Sequence, residues 1–231
     1  MSDRPDLKPV EVADRRGAEL AVAGEAPSRR WWRRVPDIVT APRSVFAALA
    51  DTDEVDVDAR AEPILAITTL AGIAGVLLAP AWGQVMDSGG VDGLSVVVVT
   101  FLFGLVYGAA GYFVLGLAVW LGAKSVGVDP PFRIARQLVG FAALPIAVSL
   151  GVLVPAIAIG FGDDWFHTGG SDEGAGRAVV TGIGLAFVAW ALGLVAVGLR
   201  TTFRLPWQGV VGALGLAAVM VAAFAVLPTA L

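Results

Sequence analysis

"LSVVVVTFLFGLVYGAAGYFVLGLAVWLGA", Leu94 to Ala123, contains no Asp, Glu, Lys, Arg or His. A hydrocarbon core about 30 Å thick is crossed by roughly 20 helical residues at about 1.5 Å each. Inside lipid every backbone N–H and C=O must find its partner within the segment, so this stretch is predicted to be a membrane-spanning helix. Four more stretches share its character: Ile64 to Trp82, Leu138 to Phe161, Val179 to Leu199 and Gly209 to Leu231. None carries an ionisable side chain, which would cost about 2.5 to 3.5 kcal/mol at a helix centre. The predicted fold class is therefore all-α, a polytopic membrane protein whose residues 62–231 form a bundle of five transmembrane helices.

Composition agrees. Of 231 residues, 57% are hydrophobic and 16% charged, against about 25% charged in soluble domains; the mean hydropathy is +0.78. The chain has no cysteine, so disulfides, thiol nucleophiles and cysteine metal sites are excluded. Arginine outnumbers lysine 14 to 2, and Ala, Gly and Val abound, a composition that suggests a high-GC prokaryotic genome. Residues 1–28 are polar and mixed in charge; they are expected to form a disordered tail, because they bury too little apolar surface to offset chain entropy. No apolar run lies near Met1, so no cleaved signal peptide is expected.

Orientation follows from the loops, since Lys and Arg in short loops resist translocation. Ten precede the first span, three lie in the second loop (Lys124, Arg133, Arg136) and two in the fourth (Arg200, Arg204). The first loop has none and the third only Arg177. The N-terminus is thus expected in the cytoplasm and the C-terminus outside, across a prokaryotic plasma membrane. Trp82, Trp120, Trp165 and Trp207 fall near span ends, where an indole places its ring in the apolar edge and its N–H among headgroups.

Residues 29–61 form a basic, aromatic and then acidic segment ahead of the bundle. In "SRRWWRRVPDIVTAPRSVFAALAD" (Ser28 to Asp51), Arg29, Arg30, Arg33 and Arg34 surround Trp31 and Trp32. Beside a membrane these residues point to anionic headgroups of the inner leaflet, or to a partner, and not to nucleic acid. Ile38, Pro42, Val45, Phe46 and Leu49 recur at helical spacing, and Pro42 suits a first helical turn. The stripe is expected to lie on the inner leaflet, or to pack on the ends of the spans. "DTDEVDVDARAE" (Asp51 to Glu62) then gathers carboxylates around Arg60 alone. It lacks the glycine and spacing of a calcium loop and reads as a solvated acidic linker. His167 with Asp163, Asp164, Asp172 and Glu173 is too sparse a set to predict a metal site.

No catalytic residue and no cofactor is expected. The chain has one histidine and no Gly-x-Ser-x-Gly, His-Glu-x-x-His or phosphate-binding loop. Proton-coupled transport is disfavoured because the spans lack ionisable residues. Small residues do recur: Gly104, Gly108 and Gly116 in the second span, and Gly209, Ala213, Ala217 and Ala225 in the fifth. Such stripes let helix backbones approach closely, within the chain or in a homo- or hetero-oligomer. Pro145 and Pro155 remove hydrogen bonds from the third span and predict kinks.

With "PRSVF" (Pro42 to Phe46) ahead of five spans, "GFAALP" (Gly140 to Pro145) in the third, and "LRTTFRLPWQG" (Leu199 to Gly209) before the last, the chain resembles the Yip1 family, in its prokaryotic type. The resemblance covers about Val35 to Leu231. It implies a five-helix membrane domain, N-terminus in the cytoplasm, that works through partners and has no enzyme activity. Eukaryotic members bind Rab-type GTPases in vesicle traffic, but the Asp-Leu-Tyr-Gly-Pro type motif they carry before the first span is missing here, so GTPase binding is not carried over. The functional expectation is a non-enzymatic organiser of membrane or protein assemblies. The alternative is a small permease or channel for a neutral solute, its path lined by Tyr107, Tyr112, Ser149 and Thr181.

Overall fold

The structure, a computed structural model, describes residues 27–51, 53–78, 87, 93–169 and 174–226. The predicted disordered tail up to residue 26, Trp82, most of the first loop, Asp172, Glu173 and residues 227–231 lie outside these. Among the described residues all regular structure is helical. Four short helices, α1 (Pro27–Arg34), α2 (Asp37–Thr40), α3 (Pro42–Ala48) and α4 (Glu54–Ala59), form a collar. The bundle follows as α5 (Ala61–Leu77), α6 (Gly93–Ser125), α7 (Phe132–Ala142), α8 (Leu144–Gly160), a 3-10 turn at Gly162–Phe166, α9 (Ala175–Thr202) and α10 (Trp207–Val226).

Four helical stretches among the described residues are long and apolar enough to cross a membrane: Glu54–Leu77, Ser95–Ser125, Phe132–Gly160 and Ala175–Thr202. A shorter apolar stretch is Trp207–Val219. Val97, Phe101, Phe103, Val106 and Leu185 point outward and are exposed, as side chains facing acyl chains should be.

Glycine sets the closest contacts. A Cβ on Gly72 of α5 would meet the Gly104 carbonyl oxygen of α6 at 2.0 Å, and one on Gly108 would meet the Thr68 oxygen at 2.2 Å. Gly104 itself lies on Ile73, where a Cβ would come 2.7 Å from that residue's Cα. Any larger side chain therefore collides with backbone, and close van der Waals fit is what holds helices together where no hydrophobic drive operates. Further along α6, Gly116 receives Arg136 of α7 and Gly122 receives Ala213 of α10. Gly104, Gly108 and Gly116 thus all face neighbouring helices of the same chain.

The third span starts earlier than the apolar run and is interrupted. Pro131, in an extended conformation, begins α7 at Phe132, so Arg133, Arg136 and Gln137 are helical and not loop. The helix breaks at Ala143, where α7 ends and α8 begins. Pro145 lies in the first turn of α8, where its missing N–H has no intrahelical partner to lose. Pro155 sits inside the continuous α8.

One large apolar core occupies the end of the bundle where the basic residues gather. Its members include Trp31, Ile38, Val45, Phe46 and Leu49 of the collar, packed with Ile64, Leu138, Phe141, Leu199, Leu205 and Val210 of the bundle. The amphipathic stripe therefore faces into the protein. The physical reason is competition: the collar's apolar side chains find close-packed partners at the helix ends, and are not left to an interface they would share with headgroups.

Candidate functional site

The collar is fixed to the bundle by a buried polar cluster centred on Arg60. The Arg60 side chain is 0% exposed. Burying a charge costs several kcal/mol unless its hydrogen bonds and a counter-charge are supplied. Both are present. Nη2 pairs with Asp56 Oδ2 at 2.6 Å, one helical turn back. The guanidinium also donates to the carbonyls of Ala48 (3.2 Å), Leu49 (3.2 Å) and Asp51 (2.8 Å). Those oxygens close the C-terminal end of α3, where carbonyls have no intrahelical donor and the helix dipole favours a cation. Arg60 thus caps α3 from a distant position in the chain.

Two other residues complete the cluster. Trp31 Nε1 donates to Asp56 Oδ1 at 2.9 Å, its ring stacks on Phe141 with centroids 5.4 Å apart, and the Arg60 Cζ lies 4.7 Å from the ring centroid. Gln137 of α7 accepts from Arg60 Nη1 at 3.2 Å and donates to the Val57 carbonyl at 2.9 Å. At the other edge of the collar, the Thr202 hydroxyl of α9 donates to the Phe46 carbonyl at 2.7 Å, and Arg133 pairs with Asp58. The linker thus splits in two: Asp51, Asp53, Glu54 and Asp58 are exposed, whereas Asp56 and Arg60 hold the fold together.

The predicted contact residues divide in the same way. Trp31 and Phe46 are buried, Arg34 is half-buried over the Trp31 ring, while Arg29, Arg30, Trp32 and Arg33 line the outer side of α1. A single two-turn helix therefore anchors with one face and presents three arginines and an indole with the other. Arg60, Asp56 and Gln137 escaped sequence reasoning. Their available signal was a lone arginine among carboxylates and a lone amide at the edge of an apolar run.

Elsewhere the polar groups are scattered. Ser149 and Thr181 line one apolar cavity of about 310 Å³ with Leu153, Trp165 and Val180, but the Ser149 hydroxyl donates to the Ile146 carbonyl. Tyr112 lines a separate groove, and Tyr107 is exposed beside Gly75. At the opposite end His167 Nδ1 lies 3.0 Å from Asp87 Oδ1, joining the first and third loops. Among the described residues no group of three or more His, Cys, Asp and Glu gathers where a metal ion would sit. Trp120, Trp165 and Trp207 each have a cation over the ring, Lys124, Arg177 and Arg200 respectively, an arrangement suited to the interface.

The arrangement is a clamp, in which Arg60, Asp56, Trp31 and Gln137 bond to one another and to the collar's carbonyls. Searches among curated proteins and among solved structures give no match. A family model for the Yip1 domain matches residues 37–227, from α2 through α10. The match takes in most of the collar and the whole bundle, and the chain belongs to the Yip1 family.

Proposed function

We propose that this membrane protein crosses the bilayer five times, N-terminus in the cytoplasm and C-terminus outside, and organises membrane or protein assemblies through its collar without catalysing a reaction. The observation that carries this reading is the division of α1 into a locked face and a displayed face. Trp31 is tied to Asp56 and Phe141, so the backbone of α1 is anchored with Arg29, Arg30, Trp32 and Arg33 on its exposed side. A preorganised cationic surface loses little entropy on docking, and each arginine near anionic headgroups contributes about 1 kcal/mol. The occupants it suits are anionic inner-leaflet lipid and an acidic face of another membrane protein. Five crossings are supported by α10, a 20-residue apolar helix, and the orientation by the basic residues at the collar end.

The test is cross-linking of the full-length protein in native membranes, followed by identification of the adducts. Arg29→Gln, Arg30→Gln and Arg33→Gln together should remove the principal adducts while the protein remains folded and inserted. Adducts unchanged by the triple substitution would overturn the assignment of this face. Solute flux above empty-vesicle background in reconstituted liposomes would support the permease reading instead; an assembly protein gives none.

A further inference from the structure

We infer that the crevice between α5 and α6, closed at one end by Arg136 of α7, is a binding site for a single phosphate-bearing lipid. The crevice has a volume of about 340 Å³ and is lined by Leu65, Thr69, Leu105, Ala109, Phe113 and Arg136 among others. Leu65, Leu105 and Phe113 are exposed, so it opens sideways onto the bilayer. From Phe113 to Leu105 it follows α6 for roughly 12 Å, at about 1.5 Å per residue. Its length suits part of an acyl chain.

Arg136 provides the other half of the site. Its guanidinium carbon lies 5.1 Å from the Phe113 ring centroid, 5.7 Å from Tyr112 and 5.7 Å from Phe132, so three aromatic rings hold it. Its Nε is buried without a hydrogen-bond partner, and among the described residues no carboxylate pairs with it. Arg60 also has an unpartnered Nε, but it faces a carboxylate, Asp56, as Arg133 faces Asp58 and Lys124 faces Asp129. A half-buried cation without a counter-charge is costly, and a planar guanidinium fork matches two phosphate oxygens at once. The depth is right as well. Arg136 lies one turn beyond Arg133 and shares the Phe132 ring with Trp120, whose N–H donates to the Pro130 carbonyl and whose ring lies under Lys124, the type of cluster found at headgroup level. Charge, depth and a groove open to acyl chains converge on a glycerophospholipid, its phosphate on Arg136 and one chain along α6.

The site depends on the chain lying in the bilayer and not on what the collar docks. The experiment is native mass spectrometry of the full-length protein, released from nanodiscs containing phosphatidylglycerol and an equal amount of diacylglycerol. The wild type should retain one phosphatidylglycerol and no diacylglycerol, and glycerol 3-phosphate should not displace it. Arg136→Gln keeps the Cβ that rests on Gly116 and should lower retention at least tenfold. Arg136→Lys should restore part of it, Ala109→Phe should lose it by filling the groove, and Arg133→Gln should leave it unchanged. Equal retention by the wild type and Arg136→Gln, equal retention of diacylglycerol, or displacement by glycerol 3-phosphate would overturn the proposal. A dimer that dissociates on Arg136→Gln, with no lipid bound to either form, would do the same. Should Arg136→Gln fail to fold, Ala109→Phe decides: a folded variant that still holds phosphatidylglycerol refutes the site.

Discussion

Replacing Arg60 with methionine isolates what the buried cluster contributes. The substitution keeps an unbranched side chain of similar reach but deletes the partner of Asp56 and the donors to the carbonyls of Ala48, Leu49 and Asp51. Breaking a buried ion pair from one side costs about 3 to 5 kcal/mol. Because the Asp56 side chain is 21% exposed, water recovers part of this, and the lower end, about 3 kcal/mol, is the expected loss. The loss falls on the collar's attachment, since the cluster joins α1, α3 and α4 to α7 and leaves the helix contacts within the bundle untouched. At about 1.4 kcal/mol per decade, the collar should be open roughly a hundredfold more often. Limited trypsin digestion in detergent measures this, because cleavage follows the open population when opening is fast. Arg29, Arg30, Arg33, Arg34 and Arg43 supply the cutting sites. Cleavage there should accelerate by about two orders of magnitude, while cleavage after Arg200 changes little. Adding Asp56→Leu to Arg60→Met should recover part of the loss, since it removes the uncompensated charge while leaving the Trp31 N–H without its acceptor. Arg60→Met digesting at the wild-type rate, or a double variant no better than the single one, would refute the assignment.

Other consequences can be measured directly. Gly108→Val places a branched side chain where even a Cβ would lie 2.2 Å from the Thr68 carbonyl oxygen; overpacking should cost about 1 to 3 kcal/mol or more, read as a lowered melting temperature in detergent, whereas Gly111→Val, with open space around it, should cost under about 1 kcal/mol. Trp31→Phe removes the donor to Asp56 and should destabilise the collar by about 1.5 kcal/mol, the lower end for a hydrogen bond to a charged group; Trp32→Phe, on the outer face, should stay within about 0.5 kcal/mol in the same digestion assay. Because the chain has no cysteine, single-cysteine variants report topology without background. With an impermeant maleimide on intact cells, Asp164→Cys should label and Arg43→Cys should label only after lysis; labelling of both on intact cells would contradict the proposed orientation.

The helices of the bundle were legible because their determinant is one-dimensional. Absence of charge over a membrane's thickness is visible residue by residue, and α6 at Gly93–Ser125 nearly coincides with the apolar run from Leu94 to Ala123. Helix ends were less legible wherever polar residues join a span. Arg133, Arg136 and Gln137 suggest loop by composition, yet Pro131 starts the helix ahead of them. The Arg60 cluster was hidden for a different reason: its members lie far apart in the chain, with Arg60 77 positions from Gln137, and pairing at that distance leaves no periodic trace. The amphipathic stripe of α2 and α3 was visible as a stripe, but hydrophobicity alone does not distinguish a lipid surface from the end of a bundle. Only tertiary packing does that, and here Trp31, Ile38, Val45, Phe46 and Leu49 pack inside.

The meeting of Gly72 with Gly104 and Gly108 also limits how the molecule can change shape. Where Gly72 and Ile73 meet Gly104 and Gly108 the two backbones touch, so nothing passes through the seam at that level, though the groove on its outer side stays open, and sliding one helix past the other would drive Ile73 into a main chain. The pair must move as a single rigid stave. The weaker point for a pivot is the junction of α7 and α8, where Pro145 lacks the N–H that would continue the ladder past Ala143.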